Sequence, residues 1–79
     1  MSELILYYRP GCSYCEKVLS FTETKKINLI LKDIRNPPSN RDELFQLGGK
    51  GQVPCLNING KALYESVDII NWLDKNFKT

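Results

Sequence analysis

Leu4-Ile5-Leu6-Tyr7-Tyr8-Arg9-Pro10-Gly11-Cys12-Ser13-Tyr14-Cys15-Glu16-Lys17-Val18-Leu19-Ser20-Phe21 is the stretch from which the fold is read. Leu4 to Tyr8 is a nearly unbroken apolar run, as expected of a central strand covered on both faces. Arg9-Pro10-Gly11 ends it, and a helix-like pattern from about Ser13 to Lys25 follows. Two cysteines spaced C-x-x-C therefore sit where a strand hands over to a helix. A sulfur at a helix N-terminus meets unpaired backbone N–H groups and the positive end of the helix dipole. Both favour the thiolate, the reactive form of cysteine, so Cys12 is expected to ionise below the ordinary thiol value of about 8.5 and to act as a nucleophile.

The rest of the chain continues the alternation. Tyr14, Val18, Phe21 and Leu19 are placed on the buried face of the first helix. Ile27 to Ile34 reads as a second strand, completing a right-handed parallel βαβ unit. Asn36-Pro37-Pro38 breaks the chain, and Asn40 with Glu43 resembles a capping box for a helix that Gly48-Gly49 stops. Val53 to Asn59 reads as a third strand, Asn59-Gly60 as a hairpin turn and Ala62 to Tyr64 as the return strand. Ser66 is expected to cap a last helix with Val67, Ile69, Ile70, Trp72, Leu73 and Phe77 on its apolar face. The order is β-α-β-α-β-β-α, an α/β arrangement with a four-stranded mixed sheet flanked by helices.

Composition narrows the chemistry. The 79 residues suit one small domain spanning 1–79. The net charge of +2, with both signs mixed along the chain, leaves no nucleic-acid footprint. No apolar run approaches the roughly 20 residues of a membrane span, and no signal peptide is visible. Three cysteines do not make a secreted disulfide framework, so a reducing cytoplasm is the expected compartment. The absence of histidine removes Cys–His dyads and imidazole acid–base chemistry. A zinc site is disfavoured because Cys12, Cys15 and Cys55 fall short of the four ligands zinc takes.

Cys12-Ser13-Tyr14-Cys15 at the first helix, Val53-Pro54 before the third strand, the Asn-Gly hairpin and the closing helix together resemble the glutaredoxin family of the thioredoxin fold. The resemblance covers nearly the whole chain. Ser13 stands where Pro is usual, and Gln52 where Thr usually precedes Val-Pro. Arg9 matches the basic residue that commonly lies three positions before the first Cys. At the last helix, Glu65-Ser66 replaces the usual Gly-Gly-x-Asp and is similar to the glutathione-binding motif of the N-terminal domain of glutathione transferases.

The resemblance implies a glutathione-dependent thiol–disulfide oxidoreductase. Cys12 would be the nucleophile, assisted by Arg9, and Cys15 either the resolving thiol or a packed small side chain. Pro54 would be cis, presenting the Val53 N–H and C=O to the cysteinyl backbone of glutathione. Ser66 and the helix N-terminus would receive a ligand carboxylate, and Glu65 its ammonium. Gln52 belongs to the same site. Tyr14 either lines the thiol groove or packs in the core. Cys55 reads as a buried strand cysteine, with a third redox thiol as the alternative. Glutathione is the expected co-substrate, glutathionylated or disulfide-containing proteins the partners, and a monomer the expected state. Three other readings stay open at this point. One is a redoxin reduced by a flavoprotein reductase, against which Glu65-Ser66 and Arg9 argue. Another is a carrier of a glutathione-ligated [2Fe–2S] cluster, which Ser13 keeps open but which is not favoured. The third is a non-catalytic glutathione-binding module resembling a detached transferase domain, against which an active Cys12 argues.

Overall fold

A computed structural model describes residues 4–77. Strand β1 (Leu4–Tyr8) is followed by α1 (Ser13–Lys25), β2 (Ile30–Asp33), α2 (Ser39–Gly48), β3 (Cys55–Ile58), β4 (Lys61–Tyr64) and α3 (Ser66–Asn76). The four strands form one sheet in the order β2-β1-β3-β4. β1 runs parallel to β2 and antiparallel to β3, and β4 returns antiparallel beside β3. This is the α/β architecture expected from the sequence.

Alternation along β1 divides the core between the two faces of the sheet. Leu6 points to one face, where it meets Leu56, Val18 of α1, and Ile69 and Leu73 of α3, all fully buried. Tyr7 points to the other, against Leu44 of α2, Cys55 and Ile34. Helices α1 and α3 pack on each other across the first face, and α2 covers the second alone. Both faces of β1 are therefore covered, which is why its sequence reads as an apolar run rather than an alternation.

The Asn59-Gly60 hairpin forms as the sequence indicates. Both residues have positive φ (53° and 89°) and Ile58 pairs with Lys61 across them. Those angles match the twist of the flanking strands. The Asn57 side-chain oxygen accepts from the Gly60 N–H at 2.7 Å.

Four local expectations are corrected. β2 begins at Ile30, not Ile27, because the Ile27 N–H is used to close α1, donating to Thr22 O at 2.8 Å after Lys26 turns left-handed at φ 57°. Asn40 does not cap α2. The helix starts at Ser39, and Asn40 is turned inward to donate from its side-chain nitrogen to Asp33 O at 2.9 Å, satisfying the carbonyl that ends β2. Glu43, the other half of the expected box, instead accepts from Tyr7 Oη at 3.1 Å and from Lys32 Nζ at 2.7 Å. β3 starts at Cys55, not Val53, because Cys55 opposite Tyr7 is the last register pair with β1. Finally, Ser66 is the first residue of α3, Glu65 holds the cap position, and Val67 is exposed rather than on the apolar face. No helix among the described residues is long and apolar enough to cross a membrane.

Candidate functional site

The loop from β1 to α1 is built to place one sulfur. Pro10 and Gly11 form the corners of a tight turn closed by the Cys12 N–H donating to Arg9 O at 3.2 Å. Gly11 takes φ 84°, which that turn requires at its second corner. The turn delivers Cys12 in an extended conformation (φ −86°, ψ 119°) to the N-cap of α1. Its Sγ accepts from the Cys15 N–H at 3.4 Å, doing with sulfur what a serine or aspartate oxygen does at most helix starts.

The two thiols of the motif consequently differ. Burial at Cys12 opposes ionisation. It is outweighed by backbone N–H donation from Cys15 and Tyr14, by the Cys15 thiol and by the Arg9 charge, so the net shift is downward. Cys15 is fully buried one turn inside, and burial pushes its thiol up to about 11. Cys55 is also fully buried and is pushed up to about 11 by burial. It packs with Tyr7, Ile34 and Leu44, a structural position rather than a reactive one. Among the described residues no three Cys, Asp or Glu side chains come together as a metal-ion site.

This difference yields a selective alkylation pattern. A lowered pKa enlarges the thiolate fraction at neutral pH, and a raised one removes it. Iodoacetamide at pH 7 is expected to label Cys12 alone, with its rate rising with pH to a plateau whose midpoint lies below the ordinary thiol value. Arg9→Gln withdraws a positive charge and moves that midpoint upward, an effect that shrinks at high salt. Mass spectrometry of labelled peptides against pH reads both.

Beside the motif lies a cavity of about 330 Å³ lined by Tyr14, Gln52, Val53, Pro54, Glu65 and Ser66. These come from three separated parts of the chain: the first turn of α1, the segment before β3, and the start of α3. Tyr14 belongs to this cavity and not to the core, being 60% exposed, with Lys17 Nζ 5.7 Å from its ring centre. The Val53-Pro54 peptide is cis, as is Asn36-Pro37. Val53 lies outside the sheet ladder, and its amide and carbonyl make no backbone hydrogen bond to any described residue. Ser66 is buried at the N-terminus of α3, where backbone N–H groups are unpaired.

Each cavity-lining residue was a candidate from the sequence, and the structure brings all six together. Arg9 stays outside the cavity as an exposed charge near Cys12. Sequence reasoning did not find that the Gln52 side-chain nitrogen donates to the Glu65 carboxylate at 2.8 Å. Nor did it find that Glu65 takes φ 73°, ψ 121°, a backbone conformation rare for a residue with a side chain. No local pattern marks either feature, because the two residues lie thirteen positions apart.

A small α/β sheet with helices on both faces, a thiol at the first helix and a polar cavity beside it defines the thioredoxin-like class. Residues 11–76 match the family model of the glutathione S-transferase N-terminal domain, and the chain belongs to that family. Solved structures agree on the fold. Glutathione transferase Omega 3C from Trametes versicolor superposes with a TM-score of 0.83 at 29% identity, over 95% of this chain and 32% of that one. Human glutathione S-transferase T1-1 gives 0.80 at 27% identity, over 96% and 33%. Human glutathione transferase theta-2, solved in complex with glutathione, gives 0.84 at 23% identity, over 96% and 32%. The chain thus spans about a third of the length of these proteins. Comparison with curated protein sequences returns no match. The family is therefore that of the transferase N-terminal domain, the relation already visible in Glu65-Ser66, and not the glutaredoxin family specifically.

Proposed function

We propose that this domain is a glutathione-dependent thiol–disulfide oxidoreductase, acting on protein–glutathione mixed disulfides and on protein disulfides. The observation that carries the reading is Cys12 itself: a thiol with a lowered pKa, capping a helix beside a cavity with groups for both poles of an amino acid. The free N–H and C=O of Val53 suit the cysteinyl backbone of glutathione as a short antiparallel pairing. The Ser66 hydroxyl and the α3 N-terminus suit its γ-glutamyl carboxylate. The Glu65 carboxylate suits the ammonium.

In the proposed cycle the Cys12 thiolate attacks the glutathione sulfur of a mixed disulfide. The Cys12–glutathione bond forms as the old disulfide breaks, and the protein thiolate leaves and takes a proton from solvent. The thiolate of a second glutathione then attacks the bound glutathione sulfur, releasing oxidised glutathione and the Cys12 thiolate. A protein disulfide takes the two-cysteine course: Cys12 forms a mixed disulfide with the substrate as one substrate thiolate leaves, and Cys15 attacks Cys12 Sγ to release the second thiolate and form the Cys12–Cys15 disulfide. Two glutathiones then reduce that disulfide, leaving as oxidised glutathione. A thiol pushed up to about 11 attacks slowly at neutral pH, so the second course is the slower one. The domain is proposed to work as a monomer in a reducing compartment.

The test is turnover of a glutathionylated peptide coupled to glutathione and glutathione reductase, set against thioredoxin reductase alone. Activity in the first assay supports the proposal, and activity only in the second overturns it. So does conjugation of glutathione to an electrophilic carbon without mixed-disulfide turnover, which would make the domain a transferase. In the same assay Cys15→Ser is expected to keep mixed-disulfide turnover within about threefold and to abolish reduction of a protein disulfide, since only the latter needs a second thiol.

A further inference from the structure

Glu65 occupies the N-cap of α3, yet its side chain makes no capping hydrogen bond. An acidic side chain there is drawn to the positive end of its own helix and to the unpaired N–H groups. If it folded back, it would fill the place where a ligand carboxylate binds. It is held away instead: the Gln52 side-chain nitrogen donates to Glu65 Oε2 at 2.8 Å, and both residues line the cavity with Ser66. The backbone of Glu65 takes φ 73°, a conformation whose cost the surroundings must offset.

We propose that Gln52 is a positioning residue that keeps the Glu65 carboxylate from capping α3, and so keeps the cavity bipolar. With the bond made, one pole is a carboxylate open to an ammonium. The other is the α3 N-terminus with Ser66, open to a carboxylate. The ligand class that fits is an α-amino acid head group in zwitterionic form, presented by a peptide in γ-linkage, because that linkage, unlike an α-linkage, leaves both the α-ammonium and the α-carboxylate free. Gln52 on this view acts through Glu65 and not by touching the thiol end of the ligand. The inference rests on the glutathione reading above.

The experiment compares glutathione with its desamino analogue, in which a glutaryl group replaces the γ-glutamyl group, in the coupled assay. For Gln52→Leu the KM for glutathione is expected to rise about five- to tenfold, within the range of one typical net hydrogen bond, with kcat within about twofold. For the desamino analogue the same substitution should raise KM clearly less, by about threefold at most, because a released Glu65 obstructs its carboxylate but there is no ammonium contact to lose. Gln52→Lys should raise the glutathione KM further than Gln52→Leu, since an ammonium at residue 52 holds Glu65 but competes with the ligand's own. Equal losses with both ligands would overturn the proposal by placing Gln52 against another part of the ligand. An unchanged KM in Gln52→Leu would overturn it too. A wild-type domain without glutathione turnover would instead remove the reading beneath it, an outcome visible before any variant is made.

Discussion

Cys12→Ser is expected to abolish turnover of glutathionylated peptides, lowering kcat/KM by about 10³-fold or more, while leaving the fold intact. The two halves of that statement have separate causes. The hydroxyl of serine does not ionise near neutral pH, so the groups that lower the Cys12 pKa have no anion to stabilise and no sulfur to exchange. The structural part is conserved because Ser is among the best N-cap residues, and its oxygen can take over the Cys15 N–H that Sγ now accepts. The thermal midpoint should stay level or rise slightly. Catalysis in the wild type should also follow the Cys12 thiolate: kcat/KM rises with pH through a limb below the ordinary thiol range, then levels. Cys15 adds nothing to that profile below its value of about 11. A Cys12→Ser domain that retains mixed-disulfide turnover would move the chemistry to another residue.

What the sequence disclosed about this site followed from how local each feature is. The β1-to-α1 handover was legible because every determinant lies within eighteen residues: an apolar run, Pro10-Gly11 for the turn, and a cysteine at the helix start. The Asn59-Gly60 hairpin was legible for the same reason, its geometry being set by two residues that accept positive φ. The α2 start was misread because Asn40 has two uses for its side chain. The sequence shows the cap, while tertiary structure offers the carbonyl of Asp33, which accepts from the Asn40 side chain beside the Asn36 N–H. Tyr14 could not be placed by periodicity. It lies on the same helix face as Val18, but the helix begins at the rim of the core, so its first turn overhangs the cavity. The cavity residues were found through motifs, one cluster at a time. Their convergence depends on β3 lying beside β1 and on α3 packing against α1, which no single stretch records.

Leu6→Ala carries the largest expected effect on stability, and its comparison with a neighbour shows why. Leu6 is fully buried, with Leu56 opposite it on β3 and Leu31 opposite it on β2. It belongs to the cluster that joins β1 and β3 to α1 and α3. Truncating a leucine in such a place costs about 2–5 kcal/mol, the transfer of the lost methyl groups plus the cavity left behind. A domain of 79 residues has only about 4–12 kcal/mol in total. Leu6→Ala is therefore expected to remove at least about a sixth of the stability, and close to half at mid-range, and to lower the urea midpoint at unchanged slope. Leu31→Ala removes the same atoms from the next strand in register, but Leu31 is 49% exposed, and the cost should stay within about 1 kcal/mol. The pair also separates scaffold from chemistry. β1 runs straight into the turn that presents Cys12, so loosening Leu6 should lower the activity midpoint in urea together with the fold. In the absence of denaturant the Cys12 alkylation profile should be unchanged, because its determinants are the α1 N-terminus and Arg9. A profile that shifted in Leu6→Ala without urea would mean that the core beneath β1, and not the cap geometry alone, sets the reactivity of the thiol.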